Sequence, residues 1–369
     1  MIRRKAAHGR DAAQGATFTK LRAALLAWYR RGHRDLPWRR TRDPYAVWLS
    51  EIMLQQTRVQ TVIPYYERFL AALPTVHALA EAPLDEVLRL WSGLGYYRRA
   101  RMLHRGAEYV VRGHDGRVPA ELDALLRVPG VGRYTAGAIA SIAFGKPAPL
   151  VDGNVARVLA RVMLLDEVVR APSAQRKLWA WAEELAAGED PGALNQALME
   201  LGATVCVPRA PDCSACPLRA RCRARAEGRQ EELPRVPARK APRRVGRVAI
   251  VARVGGGLVL AKRRSEALFG GLWEPPLLEG ALDAAVERLR IEPQGLEARG
   301  SLVHVLSHRR ISVDVFCTRL PRTPRWEPFG DYERIAVVEE RRLEDHALSA
   351  LACRVLATAG VRRPDFRRL

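Results

Sequence analysis

Apolar residues recur at spacings of three and four through the first three-fifths of this chain. Leu21, Leu25 and Trp28 are one such run, and Val47, Ile52 and Met53 another. Leu84, Val87, Leu88 and Trp91, then Leu178, Trp181 and Leu185, continue the pattern. This period predicts an almost entirely helical region from Phe18 to Ala226. Residues 227–245, rich in charge and proline and poor in large apolar side chains, are predicted to be a linker. Beyond them the period changes. Val248–Val254 and Leu258–Lys262 flank Gly255–Gly257 as a hairpin would. Ser301–Ser307 and Arg310–Phe316 alternate as strands, with Ile311, Val313 and Val315 on one face, and helices fit Leu282–Leu289 and Leu343–Ala357. The pattern therefore predicts a separate α+β domain over 246–369. Residues 1–17 are basic and lack an apolar core, and are expected to be a disordered extension.

The formal net charge of +21 over 369 residues points to a polyanionic partner. The excess of arginine over lysine, with abundant alanine, glycine and proline, equally suits a GC-rich genome, so charge supports nucleic-acid binding without establishing it. No apolar run approaches the roughly 18 residues of a membrane span. The N-terminus has no hydrophobic stretch for secretion. Six cysteines without a small disulfide scaffold suit a reducing, cytoplasmic compartment.

Two devices lie close together between Val128 and Arg161. Val128-Pro129-Gly130-Val131-Gly132 reads as a hairpin in which Gly130 and Gly132 let the backbone turn and approach another molecule. It opens onto a helix over Tyr134–Ala143, whose N-terminal N–H groups offer a seat for phosphate. About twenty residues on, Asp152-Gly153-Asn154 heads a second amphipathic helix. A turn and an N-cap explain that triplet equally well on its own.

Four cysteines cluster as Cys206-x6-Cys213-x2-Cys216-x5-Cys222, interrupted by Pro208, Pro211 and Pro217. Four thiolates suit a tetrahedral zinc as well as an iron–sulfur cluster. Arginines 209, 219, 221, 223 and 225 surround them and could grip phosphates. Cys317 and Cys353 stand alone in apolar surroundings, as core thiols do. Glu51 lies among Trp48, Leu49, Ile52, Met53 and Leu54. It either occupies the exposed face of a helix or faces a cleft where desolvation would keep it protonated.

WLSEIMLQQT, GLGYY (Gly93–Tyr97), GVGRYTAG, VDGNVARVLAR, NQALMELGATVC and the cysteine spacing occur in this order over residues 25–225. Together they resemble the adenine DNA glycosylases of the helix-hairpin-helix superfamily, relatives of endonuclease III. The resemblance implies an all-α helix-hairpin-helix domain with a [4Fe–4S] loop on Cys206, Cys213, Cys216 and Cys222. After it would come an α+β Nudix-like domain that recognises 8-oxoguanine. It implies excision of adenine opposite 8-oxoguanine or guanine in double-stranded DNA, by a protein expected to be monomeric. Glu51 then matches the acid that protonates adenine, Asp152 the carboxylate facing the oxocarbenium-like sugar, and Tyr134 and Asn154 residues that position them. Trp38, Arg39, Leu54 and Gln196 match the pocket for the flipped base. Gln56, Thr57, Leu94 and Tyr96 match duplex contacts, as do Gly130 and Gly132 of the hairpin.

Lyase-competent relatives carry lysine where this chain has Tyr134, and a phenol forms no Schiff base, so the resemblance implies a monofunctional enzyme. In the C-terminal region GGLWEPP (Gly270–Pro276) and His304–His308 carry the match, with Ser307 and His308 as lesion contacts. Two departures stand out: Leu306 occupies an aromatic position of the recognition loop, and the acidic metal box of Nudix hydrolases is missing after Trp273. Three alternatives remain at this stage: a lyase acting on oxidised pyrimidines, a non-catalytic DNA-binding iron–sulfur protein, and a nucleotide hydrolase. Tyr134, the paired carboxylates and the missing box respectively argue against them.

Overall fold

In this computed structural model the described residues are 2–237 and 241–361, without the side chains of 2–14 and 16. Helices α1 (Ile2–Gly32), α2 (Pro44–Leu54), α3 (Val59–Ala72), α4 (Val76–Glu81), α5 (Leu84–Leu90) and α6 (Arg98–His114) come first. They are followed by α7 (Leu122–Arg127), α8 (Arg133–Ala138), α9 (Gly153–Val162), α10 (Pro172–Ala186), α11 (Pro191–Thr204) and the short α12 (Arg223–Ala226). α8 continues as a π-helical turn over Ile139–Ala143. Strands β1 (Arg243–Val254), β2 (Gly257–Arg263), β3 (Trp273–Glu274) and β4 (Leu277–Glu279) precede α13 (Leu282–Leu289). Then come β5 (Glu297–Val305), β6 (Arg309–Arg319), β7 (Tyr332–Glu339) and α14 (Ala350–Thr358).

The chain forms two units, one of residues 1–55 with 109–238, the other of 56–108 with 239–369. In the first, α1, α9, α10 and α11 share one core: Phe18, Leu21 and Leu25 meet Val158, Leu159, Leu178, Leu185, Leu194 and Leu198. The apolar face read from Val155, Val158, Leu159 and Val162 is the buried face of α9. α1 begins at Ile2, upstream of Phe18.

The linker expected over 227–245 is engaged with the rest of the chain at both ends. Leu233 is buried and its carbonyl accepts from Arg161 Nε (2.8 Å), while Val169 N donates to Arg235 O (2.9 Å). β1 already starts at Arg243, because it pairs in parallel with β6 over Arg243–Arg253. Residues 238–240 of that linker and 362–369 of the C-terminal domain lie outside the described residues.

In the second unit the strands form one mixed sheet of order β3-β2-β1-β6-β5, with β4 beside β1 and β7 beside β2. Side chains alternate across β1: Ala249 and Val251 face the core under α14, and Val248, Ile250 and Ala252 the core under α13. A strand covered on both faces reads as the unbroken apolar run seen in the sequence. Ile311, Val313 and Val315 do share one buried face, and Cys317 and Cys353 lie in the same core. The single helix expected over Leu343–Ala357 is two elements, a 3-10 turn over Glu340–Asp345 and α14. Ser349 caps α14 by accepting from Ala352 N, and so starts a new helix there. Helices α3 to α5, and most of α6, pack within this unit, where Tyr97 Oη donates to Leu348 O (3.3 Å) and Lys262 pairs with Asp85 (2.7 Å).

Gly137 marks the tightest packing around the hairpin. A Cβ there would lie 2.0 Å from the Pro149 carbonyl oxygen, which is backbone and cannot step aside. Gly137→Ala is expected to destabilise the protein by about 1–3 kcal/mol, the usual cost of overpacking. Urea unfolding followed by circular dichroism measures it; an unchanged midpoint would show that α8 shifts freely.

Candidate active site

α2 starts on Pro44 behind Asp43, whose carboxylate accepts from Tyr45 N (2.7 Å) and Ala46 N (3.2 Å). Every residue from Tyr45 to Met53 is buried, so this helix has no solvent face and Glu51, 4% exposed, goes into the interior with the rest. The surface alternative for Glu51 is thereby removed.

The hairpin turns on Gly130, at φ +83°, while Val128 and Val131 anchor it inside. Gly132 then caps α8, whose first turn aims Tyr134 inward. Tyr134 Oη donates to Glu51 Oε2 at 2.6 Å, with Met199 Sδ 3.1 Å away. Burial pushes the Glu51 carboxyl up to about 7; the Tyr134 hydrogen bond and Arg39 oppose this, and the Asp152 charge adds to it. Burial and the two carboxylates raise the Tyr134 phenol well above its usual value, so it remains a donor.

Asp152 is the N-cap of α9, as a turn-and-cap triplet would be, and it also belongs to this cluster. Its Oδ1 accepts from Val155 N (2.7 Å) and its Oδ2 from Asn154 Nδ2 (3.1 Å). Burial raises its pKa, against the lowering by those bonds and by Arg157. Two carboxyls in differing surroundings are the arrangement that separates acid from base roles.

Trp38 and Arg39 sit on a 3-10 turn that Pro37 begins. Arg39 Nη2 donates to Glu200 Oε2 (2.8 Å) and Nη1 to Arg34 O (3.0 Å), and its guanidinium lies over the Tyr29 ring. Tyr29 Oη donates to Gln196 Oε1 (3.2 Å), and Leu54 is half-buried at the end of α2. Glu200, on α11 one turn after Gln196, is not among the residues the sequence pointed to. Burial alone would raise its carboxyl, but hydrogen bonds from Arg34 and Arg39 outweigh this and hold it at about 2. Its signal was present: a charged residue at i+4 within an otherwise apolar run.

Two buried arginines on α9 were likewise missed. Arg157 Nη2 donates to Asn154 Oδ1 (2.8 Å) and to Gly202 O (2.7 Å), and its Nε to Cys206 O (2.7 Å). Arg161 reaches Val207 O (2.7 Å), Pro208 O (3.0 Å) and Cys206 Sγ (3.3 Å). α9 thus runs from Asp152 at its head to the cysteine loop along one polar stripe.

Cys206, Cys213, Cys216 and Cys222 line one pocket, with Val158, Leu201 and Arg161 in its wall. Among the described residues no group of three or more His, Cys, Asp or Glu side chains is placed to hold one metal ion. Burial pushes Cys216 up to about 11, with the other thiols contributing, so a cationic centre would be needed to ionise it.

The remaining expected residues belong to the second unit. Gln56 is exposed at φ +57°, Thr57 accepts from Arg99 Nη2 (3.0 Å), and Tyr96 is 48% exposed at φ +50°. Leu94, expected to contact the duplex, is buried, because the turn closed by Leu94 N to Trp91 O folds it inward. Ser307 and His308 are exposed at the β5–β6 turn, whereas Leu306 packs against the core under α14. Glu274, just after Trp273, is buried and committed to Arg263 and Tyr332 (both 2.7 Å), so it offers no metal ligand.

The first unit thus brings together a hairpin between two helices, a buried acid and a second carboxylate at the head of the next helix. Residues 49–184 match the HhH-GPD superfamily of base excision DNA repair proteins, and 247–358 match the NUDIX domain. The human adenine DNA glycosylase is 37% identical, over 87% of this chain and 72% of its own. That of Buchnera aphidicola (Acyrthosiphon pisum) is 33% identical, over 80% and 86%. Among solved structures, a thermostable thymine-DNA glycosylase superposes with a TM-score of 0.52 at 31% identity, covering 58% of this chain and 99% of its own. The chain belongs to the adenine DNA glycosylase family. Among the described residues no helix is long and apolar enough to cross a membrane.

The raised Glu51 carboxyl has a consequence for stability that needs no substrate. Between about 4.5 and about 7 the folded chain holds a proton that the unfolded chain has lost. Stability from this group is therefore full below about pH 4.5 and declines as pH rises to about 7. Glu51→Gln removes the decline. It is expected to be more stable than wild type at pH 8, by on the order of a few kcal/mol, with the gain vanishing at pH 4. Paired denaturant titrations measure it; a pH-independent difference would mean that Glu51 is ionised throughout.

Proposed function

We propose that the protein excises adenine mispaired with 8-oxoguanine, or with guanine, from double-stranded DNA, as a monofunctional glycosylase acting as a monomer. The observation that carries this reading is the buried Tyr134–Glu51 hydrogen bond beside an Asp152 that caps α9. Adenine is a poor leaving group until protonated. Glu51, held near neutral pKa by burial, donates its proton to N7 of the flipped base, and Tyr134 fixes the carboxyl's orientation. The C1′–N9 bond then breaks with its electron pair passing to the base. Asp152, oriented by Val155 N and Asn154, meets the oxocarbenium-like sugar that remains. Water adds at C1′ and gives its proton back to the Glu51 carboxylate, leaving an intact abasic strand, since Tyr134 has no amine with which to form a Schiff base.

In this reading Trp38, Arg39, Leu54 and Gln196 form the base pocket, and Glu200 keeps Arg39 in place. Gly130 and Gly132 give the backbone its close approach to phosphate. Gln56, Thr57 and Tyr96 contact the duplex, Leu94 supports their turn from within, and Ser307 and His308 read the lesion. The glycosylase domain is residues 18–226 and the reader 246–369. The four cysteines hold a [4Fe–4S] cluster: they are all sulfur donors and share one pocket. When bound, the cluster supplies four metal–thiolate bonds that cross-link the loop.

The test is single-turnover excision from duplexes carrying adenine opposite 8-oxoguanine, with strand scission scored before and after alkali. Wild type is expected to release adenine and cut only after alkali. Glu51→Gln and Asp152→Asn are each expected to slow excision by at least about a hundredfold while duplex binding persists. Near-wild-type rates in either variant would remove that residue from the mechanism, and scission without alkali would indicate a lyase. The purified protein is expected to be yellow-brown with about four irons per chain; stoichiometric zinc would refute the cluster.

A further inference from the structure

We propose that the side-chain amide of Gln230 is a hydrogen-bond donor to the sulfur of the group held by Cys206, Cys213, Cys216 and Cys222, and thereby sets its reduction potential. This rests on the iron–sulfur reading of those cysteines. Gln230 lines the cysteine pocket, and its Oε1 is buried with no hydrogen-bond partner among the described residues. A buried amide oxygen left unpaired costs about 1–3 kcal/mol, so an orphan in a native wall marks a missing partner.

The other polar side chains of that wall are engaged with polypeptide. Arg161 donates to the carbonyls of Val207, Pro208 and Leu233 and, through Nη1, to Cys206 Sγ (3.3 Å), and Asp212 accepts from Ser214 and Ala215. Arg219 and Arg225 donate to Ser214 O (3.1 Å) and Arg219 O (3.3 Å). Gln230 itself is held on both sides. Arg229 pairs with Asp166 (3.0 Å) and Glu232 (2.9 Å), and Leu233 is buried beneath Arg161.

Thiolate and sulfide sulfurs are acceptors only, so they draw the amide N–H. The oxygen and nitrogen of a carboxamide exchange places by a half-turn about its last bond, and a network decides which end faces it. A donor to cluster sulfur stabilises the more electron-rich state, which raises the reduction potential.

The experiment compares full-length wild type, Gln230→Leu and Gln230→Glu by iron assay, thermal unfolding and redox titration monitored by visible and EPR spectra. Leucine removes the donor at similar size, and glutamate adds charge beside the sulfur. Potentials are expected to fall in the order wild type, leucine, glutamate, with a first step of roughly tenfold in the reduction equilibrium, ~59 mV for one electron. A merely structural glutamine would lower the unfolding temperature and leave the potential where it was. Full iron with an unchanged potential would overturn the proposal, and a single iron-loaded variant is enough to show it. Loss of iron from both variants, with wild type loaded, would also overturn it by making Gln230 an assembly residue. Zinc in wild type would instead refute the cluster reading beneath it.

Discussion

Burial of one carboxyl organises the first unit of this protein. Glu51 reaches the interior because α2 is apolar on every side, and a helix without a solvent face carries its one acidic residue inward. An unaided carboxyl there would be costly. The hairpin relieves that cost by delivering Tyr134 to it, and the same burial that needs the phenol raises the carboxyl's proton affinity. The close seat of α8 on Pro149, possible only with glycine at 137, serves this alignment.

The second carboxyl is held in another way. Asp152 is fixed by the helix it caps, so its position is tied to that of α9. α9 is in turn fixed by arginines whose guanidinium groups bond backbone carbonyls of the cysteine loop. Arg157 touches both Asn154 and the Cys206 carbonyl, so a change in the loop and a change beside Asp152 share one side chain. A loop remote in sequence from the carboxyls is thereby tied to their placement. It also gives the cysteine loop a positioning part without any step of the reaction passing through it.

Much of this was legible in the sequence, for identifiable reasons. The helical period, the strand alternation and the shared face of Ile311, Val313 and Val315 are local patterns that packing respected. The turn at Gly130 was readable because only a few residues tolerate its backbone. What was not legible depends on partners far along the chain. Whether Glu51 faces solvent is decided by what surrounds α2, and Glu200 matters through Arg34 and Arg39, over 160 residues away. The residues after 226 looked like a free linker because polarity and proline dominate them, yet one buried leucine and two backbone pairings hold their first half down. Leu94 carried a family role as a duplex contact, and its own turn puts it inside.

A protonated Glu51 is the premise on which the chemistry stands, and the pH dependence of kcat/KM for adenine release tests it most directly, because that constant reports acids of the free enzyme. The rate constant is expected to hold level on the acid side and to fall about tenfold per pH unit as pH rises through about 7. A profile that stays flat or rises across that value, with DNA binding unchanged, would contradict Glu51 as the acid.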